Sequence, residues 1–131
     1  MAKLQRARAI DQPMPVPTIH IKRVYDAPSA GDGARILVDR LWPRGCSKET
    51  LKLDLWAKEV APSNALRQWY HRDLGRYADF RKRYLKELEG QGAALAELRA
   101  GVGRGPATLL TASKTPEKSH ASVLRELLTK K

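Results

Sequence analysis

Several things are in short supply in this chain. It has a single cysteine, Cys46, so it can form no internal disulfide, and that usage is the one expected in the reducing cytoplasm. No apolar run comes near the roughly 20 residues that cross a bilayer, and Met1 to Ile10 carry charge without the apolar stretch of a secretory signal. No membrane is expected as a partner. Three histidines and one cysteine show no zinc spacing, and the glycines of a Walker phosphate loop are missing; neither a metal nor a cofactor is expected. Acidic residues are also few. There are 14 against 25 lysines and arginines, a balance of +11. Such a charge favours anionic partners, phosphorylated metabolites or nucleic acid among them, and bears on association rather than fold. Solubility alone accounts for it equally well.

What is present suffices for one domain. The 131 residues are 42% hydrophobic, and a chain of that length buries about two thirds of its unfolded surface without staples. Residues 1–17 mix Lys3, Arg6 and Arg8 with Pro13, Pro15 and Pro17. Alternate prolines bar a helix and remove ladder donors, so a mobile basic tail is expected there and a single domain over 18–131. Within it, Ile19 and Ile21 alternate with His20 and Lys22, the period of a half-buried strand. Ile36-Leu37-Val38 and Ala107 to Thr111 read as strands buried on both faces, and Leu53, Leu55 and Val60 suggest a further one. Ser47 is placed to cap a short helix through Leu51, and Ser63 a helix carrying Leu66, Trp69 and Tyr70. Tyr77, Phe80, Tyr84 and Leu88 recur at helical spacing as a core stripe. Gly90 and Gly92 end that helix, Ala93 to Leu98 make another, and Gly101, Gly103 and Gly105 make a turn. Thr115, followed by Pro116 and Glu117, marks the start of a last helix with Leu124, Leu127 and Leu128 on its apolar face. Strands parted by helices predict the α/β class: a single compact layered domain with a small, at least partly parallel sheet flanked by helices. Strand order is not legible in this pattern.

One stretch carries a resemblance. Val38-Asp39-Arg40-Leu41-Trp42-Pro43-Arg44-Gly45 is similar to the signature of the bacterial family called domain of unknown function 488, in its YeaO-like branch. The likeness continues through Trp56, Lys58, Ala61-Pro62-Ser63, Leu66-Arg67, Trp69-Tyr70, Asp73, Phe80 and Tyr84, and closes on Thr108-Leu109-Leu110 and His120-Ala121. It implies a compact α/β domain and supplies no reaction. Arg72, Thr115 and Ser119 depart from the pattern, which commonly has a histidine, an acidic residue and an asparagine at those places; the departure at Arg72 leaves His71 without a fixed role.

Asp39, Arg40, Trp42, Pro43 and Arg44 follow directly on a buried strand, and in open α/β sheets ligands bind beyond the carboxyl ends of the strands. Two arginines bracketing a tryptophan suit a phosphate or carboxylate with a planar group on the indole. They also suit a structural Arg40–Asp39 network with Trp42 in the core. Ser113-Lys114-Thr115 follows the other buried strand and opens a helix, where free N–H groups favour an anion, although capping by Thr115 explains the pattern as simply. If the two strands are parallel neighbours, Arg40, Arg44 and Lys114 converge on one edge, within reach of Lys58 and Arg67. Arg40, Trp42, Arg44, Lys58, Arg67 and Lys114 are the candidate ligand-binding residues. Asp39 and His120 are the candidate catalytic or orienting groups; His120, four before Leu124, equally suits a hydrogen-bonded core histidine. His71 and Asp73 are a second pair open to acid–base work, and Cys46 has no paired motif.

A different reading uses Arg67, Arg72, Arg76, Arg81, Lys82, Arg83 and Lys86, opposed by Asp73 and Asp79. Such a helical surface binds nucleic acid weakly and without sequence preference, while Asp79, Arg83 and Glu87 at four-residue spacing read as ordinary solvated pairs. The sequence thus leads to a cytoplasmic protein that binds a small anionic ligand, with enzymatic activity undecided, or to a non-enzymatic accessory protein on nucleic acid. Oligomeric state is not legible.

Overall fold

The computed structural model describes residues 16–130, so the tail expected over 1–17 lies outside the described residues but for its last two. Four strands, β1 (Ile19–Arg23), β2 (Ala34–Leu37), β3 (Leu55–Trp56) and β4 (Ala107–Thr111), form one sheet in the order β1-β4-β2-β3. Every neighbouring pair is parallel. The helices are α1 (Lys48–Leu51), α2 (Asn64–His71), α3 (Tyr77–Glu89), α4 (Gly92–Val102) and α5 (His120–Leu128). This is the α/β domain that alternating strand and helix patterns predict.

β4 takes the centre because its composition demands neighbours on both sides. All five of its residues are buried, which parallel strands achieve only with pairing at both edges and cover on both faces. Ala107 lies opposite Ile19 on one side and Ala34 on the other, so the three strands start level and their carboxyl ends open together. Side chains then sort by the period of two. Ile19, Ile36, Val38 and Leu109 face one core with Leu66, Phe80, Tyr84, Leu98 and Leu124 from helices α2 to α5. Val24, Leu37 and Leu110 face the other, covered by Leu51 of α1 and by Trp42 and Trp56.

Three boundaries differ from the sequence pattern. β3 is only Leu55–Trp56, and Val60 falls in a 3-10 turn over Lys58–Val60; the Asp54 carboxylate, not a longer ladder, accepts the Arg35 N–H at 2.8 Å. α4 continues through Gly101. The missing side chain there is a packing device, since a Cβ would sit 2.8 Å from Leu55 Cδ2. The last helix starts at His120, not after Thr115. Pro116–Lys118 is a separate 3-10 turn, and Ser119, in extended backbone, caps α5 by accepting the Ala121 N–H.

A buried charge cluster stands beside the start of β2. Arg35 Nη1 lies 2.5 Å from Asp32, and both side chains are about 5% exposed. Ser29 donates to Asp32 from its backbone at 3.0 Å and from its hydroxyl at 2.9 Å, and Lys22 Nζ adds a contact at 3.1 Å. Burial opposes ionisation of Asp32, but these donors outweigh it and hold the carboxyl well below the usual carboxylate range. Arg35 Nε donates to Leu51 O at 2.8 Å, leaving Nη2 as the buried side-chain polar atom without a partner among the described residues.

Candidate functional site

Where β2 and β4 end, the chain turns away on both strands and a crevice of about 430 Å³ opens. Such a crevice beyond parallel strand ends is the expected ligand position of an open α/β sheet. Asp39 fastens its floor. One carboxylate oxygen accepts from Thr111 Oγ1 at 2.8 Å, the other from the Ala112 N–H at 2.8 Å, and the Asp39 carbonyl accepts from Trp56 Nε1 at 2.8 Å. His120 Nε2 lies 3.0 Å from both Asp39 Oδ1 and Val38 O. Two acceptors at one ring nitrogen require that it carry the hydrogen, which leaves Nδ1 facing away from this pair. Burial raises the Asp39 carboxyl's affinity for its proton, yet the bond and charge of His120, the Ala112 N–H and the Thr111 hydroxyl bring its pKa below the ordinary value.

Cations gather around this floor. Arg40, Arg44, Arg67 and Lys118 line the crevice, and Asp39 is the one acidic residue among its lining. Arg40 Nη2 donates to Ala61 O at 3.2 Å and Arg67 Nη2 to Asn64 Oδ1 at 3.1 Å; both acceptors are neutral. The lysine and arginine ion pairs of the described residues lie elsewhere. Trp42, Pro43, Pro62, Tyr70 and Phe80 supply apolar wall. Trp42 serves two masters: its Nε1 donates to Cys46 O at 2.7 Å and its ring meets Trp56 edge-on at 5.4 Å, so it roofs the second core while facing the crevice. Phe80 stacks on Tyr70 at 4.2 Å. Burial, with Tyr77 nearby, pushes the Tyr70 hydroxyl up to about 12, and it donates to Lys118 O at 2.6 Å. Tyr84, buried against His120, is likewise raised by burial and donates to Val60 O. Neither phenol is poised to give up its proton near neutrality.

The structure therefore brings together Asp39, Arg40, Trp42, Arg44, Arg67 and His120. The alternative Arg40–Asp39 network does not form, because Thr111, Ala112 and His120 occupy the carboxylate and Arg40 turns to Ala61. Lys58 is elsewhere, over the Trp56 ring at 5.2 Å. Lys114 is exposed and outside the lining, though Ser113 and Thr115 belong to it. The helix start expected at Ser113-Lys114-Thr115 lies instead at Ser119, whose side chain accepts the Ala121 N–H. His71 lines the crevice without Asp73, which instead caps the next turn through the Gly75 N–H at 2.8 Å. Sequence reasoning missed Tyr25, Tyr70, Thr111, Lys118 and Ser119; placing the last helix at Ser119 would have brought the neighbouring Lys118 into view.

On the basic helical surface, Arg83 and Arg76 lie over the Trp69 ring at 4.2 and 5.1 Å, and Arg81 pairs with Glu126. Glu87 accepts from Ser63 Oγ at 2.6 Å, so the expected Arg83–Glu87 helix pair gives way to tertiary contacts. Among the described residues no group of three or more metal-type side chains occurs, and no helix is long and apolar enough to cross a membrane.

Comparison with known proteins places this geometry among relatives. The family model described as the inactive DUF488-N3 subclade matches residues 18–131. An uncharacterised Escherichia coli protein, YeaO, is 47% identical over 113 residues, covering 84% of this chain and 96% of that protein. An uncharacterised protein of Mycobacterium tuberculosis is 46% identical over 110 residues, covering 84% of this chain and 92% of that protein. No solved structure matches the chain.

Proposed function

Because the chain belongs to the domain of unknown function 488 family, in the YeaO-like group whose matching model is described as an inactive subclade, we propose that its crevice holds a small anionic ligand without transforming it. One observation carries this reading: Arg40, Arg44, Arg67 and Lys118 line a crevice whose single carboxylate, Asp39, is already engaged by three other groups. Like charges brought together repel, and an anion relieves that cost. Guanidinium groups suit phosphate and carboxylate oxygens by shape as well as charge. The Asp39–His120 pair supports a positioning role, since it ties the end of β2 to the start of α5. The lone cysteine supports a cytoplasmic setting.

The test is a thermal-shift and calorimetric screen with phosphate, sulfate and small carboxylates on the native chain. A ligand of the native state raises its apparent stability. Saturable binding that Arg44→Ala weakens supports the reading. Binding of none of these anions sinks it, and tight, sequence-selective binding of duplex DNA at physiological salt in their place favours the nucleic-acid reading.

A further inference from the structure

The crevice is larger than the anion its cations would hold, and the remaining wall describes the rest of the ligand. We infer that the ligand is a nucleoside monophosphate, free or as the phosphorylated end of a strand, with its phosphate on Arg40, Arg44 and Arg67 and its nucleoside against the aromatic wall. This rests on the anion-binding reading and adds the body that the anion carries.

Size comes first. About 430 Å³ falls in the range of roughly 300–1,000 Å³ that encloses a small organic molecule, and a tetrahedral anion alone leaves most of it to water. Charge comes next. Three guanidinium groups and the Lys118 ammonium, against one occupied carboxylate, suit a dianion. A phosphomonoester carries about −1.5 to −2 at neutral pH with three strong acceptor oxygens, whereas a carboxylate or a phosphodiester carries a single charge.

The wall then selects the body. The floor is closed off beneath: Phe80 is 2% exposed and Thr111 is 1% exposed. The mouth carries Leu41 at 63% and Tyr25 at 52%, two of the three exposed large apolar side chains among the described residues. Scattered exposed apolar groups need no explanation, but two at one crevice mouth, beside Trp42, are a surface for a planar ring. Tyr25 is held in place, its hydroxyl donating to Arg44 O at 3.2 Å and its ring under the Arg23 guanidinium at 5.2 Å. Finally, His120 Nε2 is occupied by Val38 O and Asp39, so Nδ1 is the ring nitrogen left for a group from outside. A ribose hydroxyl, which both donates and accepts, meets it; a simple aryl or alkyl phosphate does not. Phosphate, planar ring and hydroxyl together describe a nucleotide.

Calorimetry on the full chain at fixed ionic strength tests this with the four ribonucleoside monophosphates, their nucleosides, ribose 5-phosphate and inorganic phosphate. Base stacking on aromatic side chains is strong enough for about a tenfold gain or more. The best monophosphate is therefore expected to bind at least about tenfold more tightly than ribose 5-phosphate, phosphate or its own nucleoside, and Leu41→Ala and Arg44→Ala, both exposed, are expected to weaken it without unfolding the chain. A single-stranded oligonucleotide with and without a 5′-phosphate separates the sources. Binding that needs the 5′-phosphate assigns strand ends, absence of binding assigns free nucleotides, and either supports the inference. Binding that ignores the 5′-phosphate overturns it. Equal affinity for all monophosphates and inorganic phosphate also overturns it while leaving the anion reading intact; no binding by any anion removes both.

Discussion

Two regions of the molecule gather cations around an aspartate, and only one of them spends its carboxylate on those cations. Near the start of β2, Asp32 is buried and its oxygens meet Arg35, Lys22 and Ser29 within the chain. Beyond the ends of β2 and β4, Asp39 spends its oxygens on Thr111, Ala112 and His120, while Arg40, Arg44, Arg67 and Lys118 stand around it without a carboxylate of their own. Composition does not separate these clusters, since both are arginine with aspartate beside the same strand. Burial and partners do. A closed cluster is there for the fold, and an open one has valence left for something outside the chain.

The comparison breaks most easily at Arg35. Arg35→Met leaves Asp32 buried with its closest partner gone, an expected loss of about 3–5 kcal/mol in urea unfolding; a loss below 1 kcal/mol would show that the cluster is not closed. Acid titration follows in size. The Asp32 carboxyl is held below its ordinary value in the folded chain, so its contribution is fully present above the unfolded pKa of about 3.9 and is lost as pH falls below that towards the folded pKa. Stability is expected to drop on acidification below about pH 4, and Asp32→Asn to flatten that drop while lowering stability at neutral pH. In the open cluster, Asp39→Asn replaces one carboxylate oxygen with an NH2 donor that faces the donors of Thr111, Ala112 or His120, an expected cost of about 1–3 kcal/mol by thermal unfolding, together with a displaced crevice floor. Ser119→Ala is expected to cost about 1 kcal/mol as a lost helix cap, with Thr115→Ala close to neutral; the reverse order would put the start of α5 back at Thr115. Smallest for stability is Arg44→Ala, within about 0.5 kcal/mol, although it is expected to weaken anion binding. An exposed Arg44 whose removal unfolds the chain would erase the distinction between the two regions.

The sequence made the strands legible because burial on both faces leaves an unmistakable apolar run, as at Leu109-Leu110 and Ile36-Leu37-Val38. From two such runs followed by polar loops, the meeting of Arg40, Arg44 and Arg67 followed once the strands were parallel neighbours. Lys58 and Lys114 escaped that logic. Position along the chain brings a residue near an edge, but the direction of its side chain is set locally, by the Trp56 ring for Lys58 and by an exposed turn for Lys114. Thr115-Pro116-Glu117 has the chemistry of a helix start and makes only one turn, because Ser119 is extended and begins again. Gly101 resembles the glycines of the turn after it, yet it is a contact point for Leu55, a distinction that rests on what packs opposite. Asp32 and Arg35 gave no signal at all, since a buried ion pair three residues apart has the same letters as an exposed one.

The position of β4 has a consequence for how the chain assembles. β1 and β2 never touch each other in the sheet; each pairs with β4, which comes last. A chain ending before Ala107 therefore has β2 beside β3 and no partner for β1, and neither core can close. The pairing of Ile19 with Ala107 spans most of the chain and pays its loop-closure entropy before any long-range contact returns it. Closure of both cores thus requires the insertion of one five-residue strand, and the crevice requires it too, because its walls hang from β2 and β4, the two strands that the insertion joins.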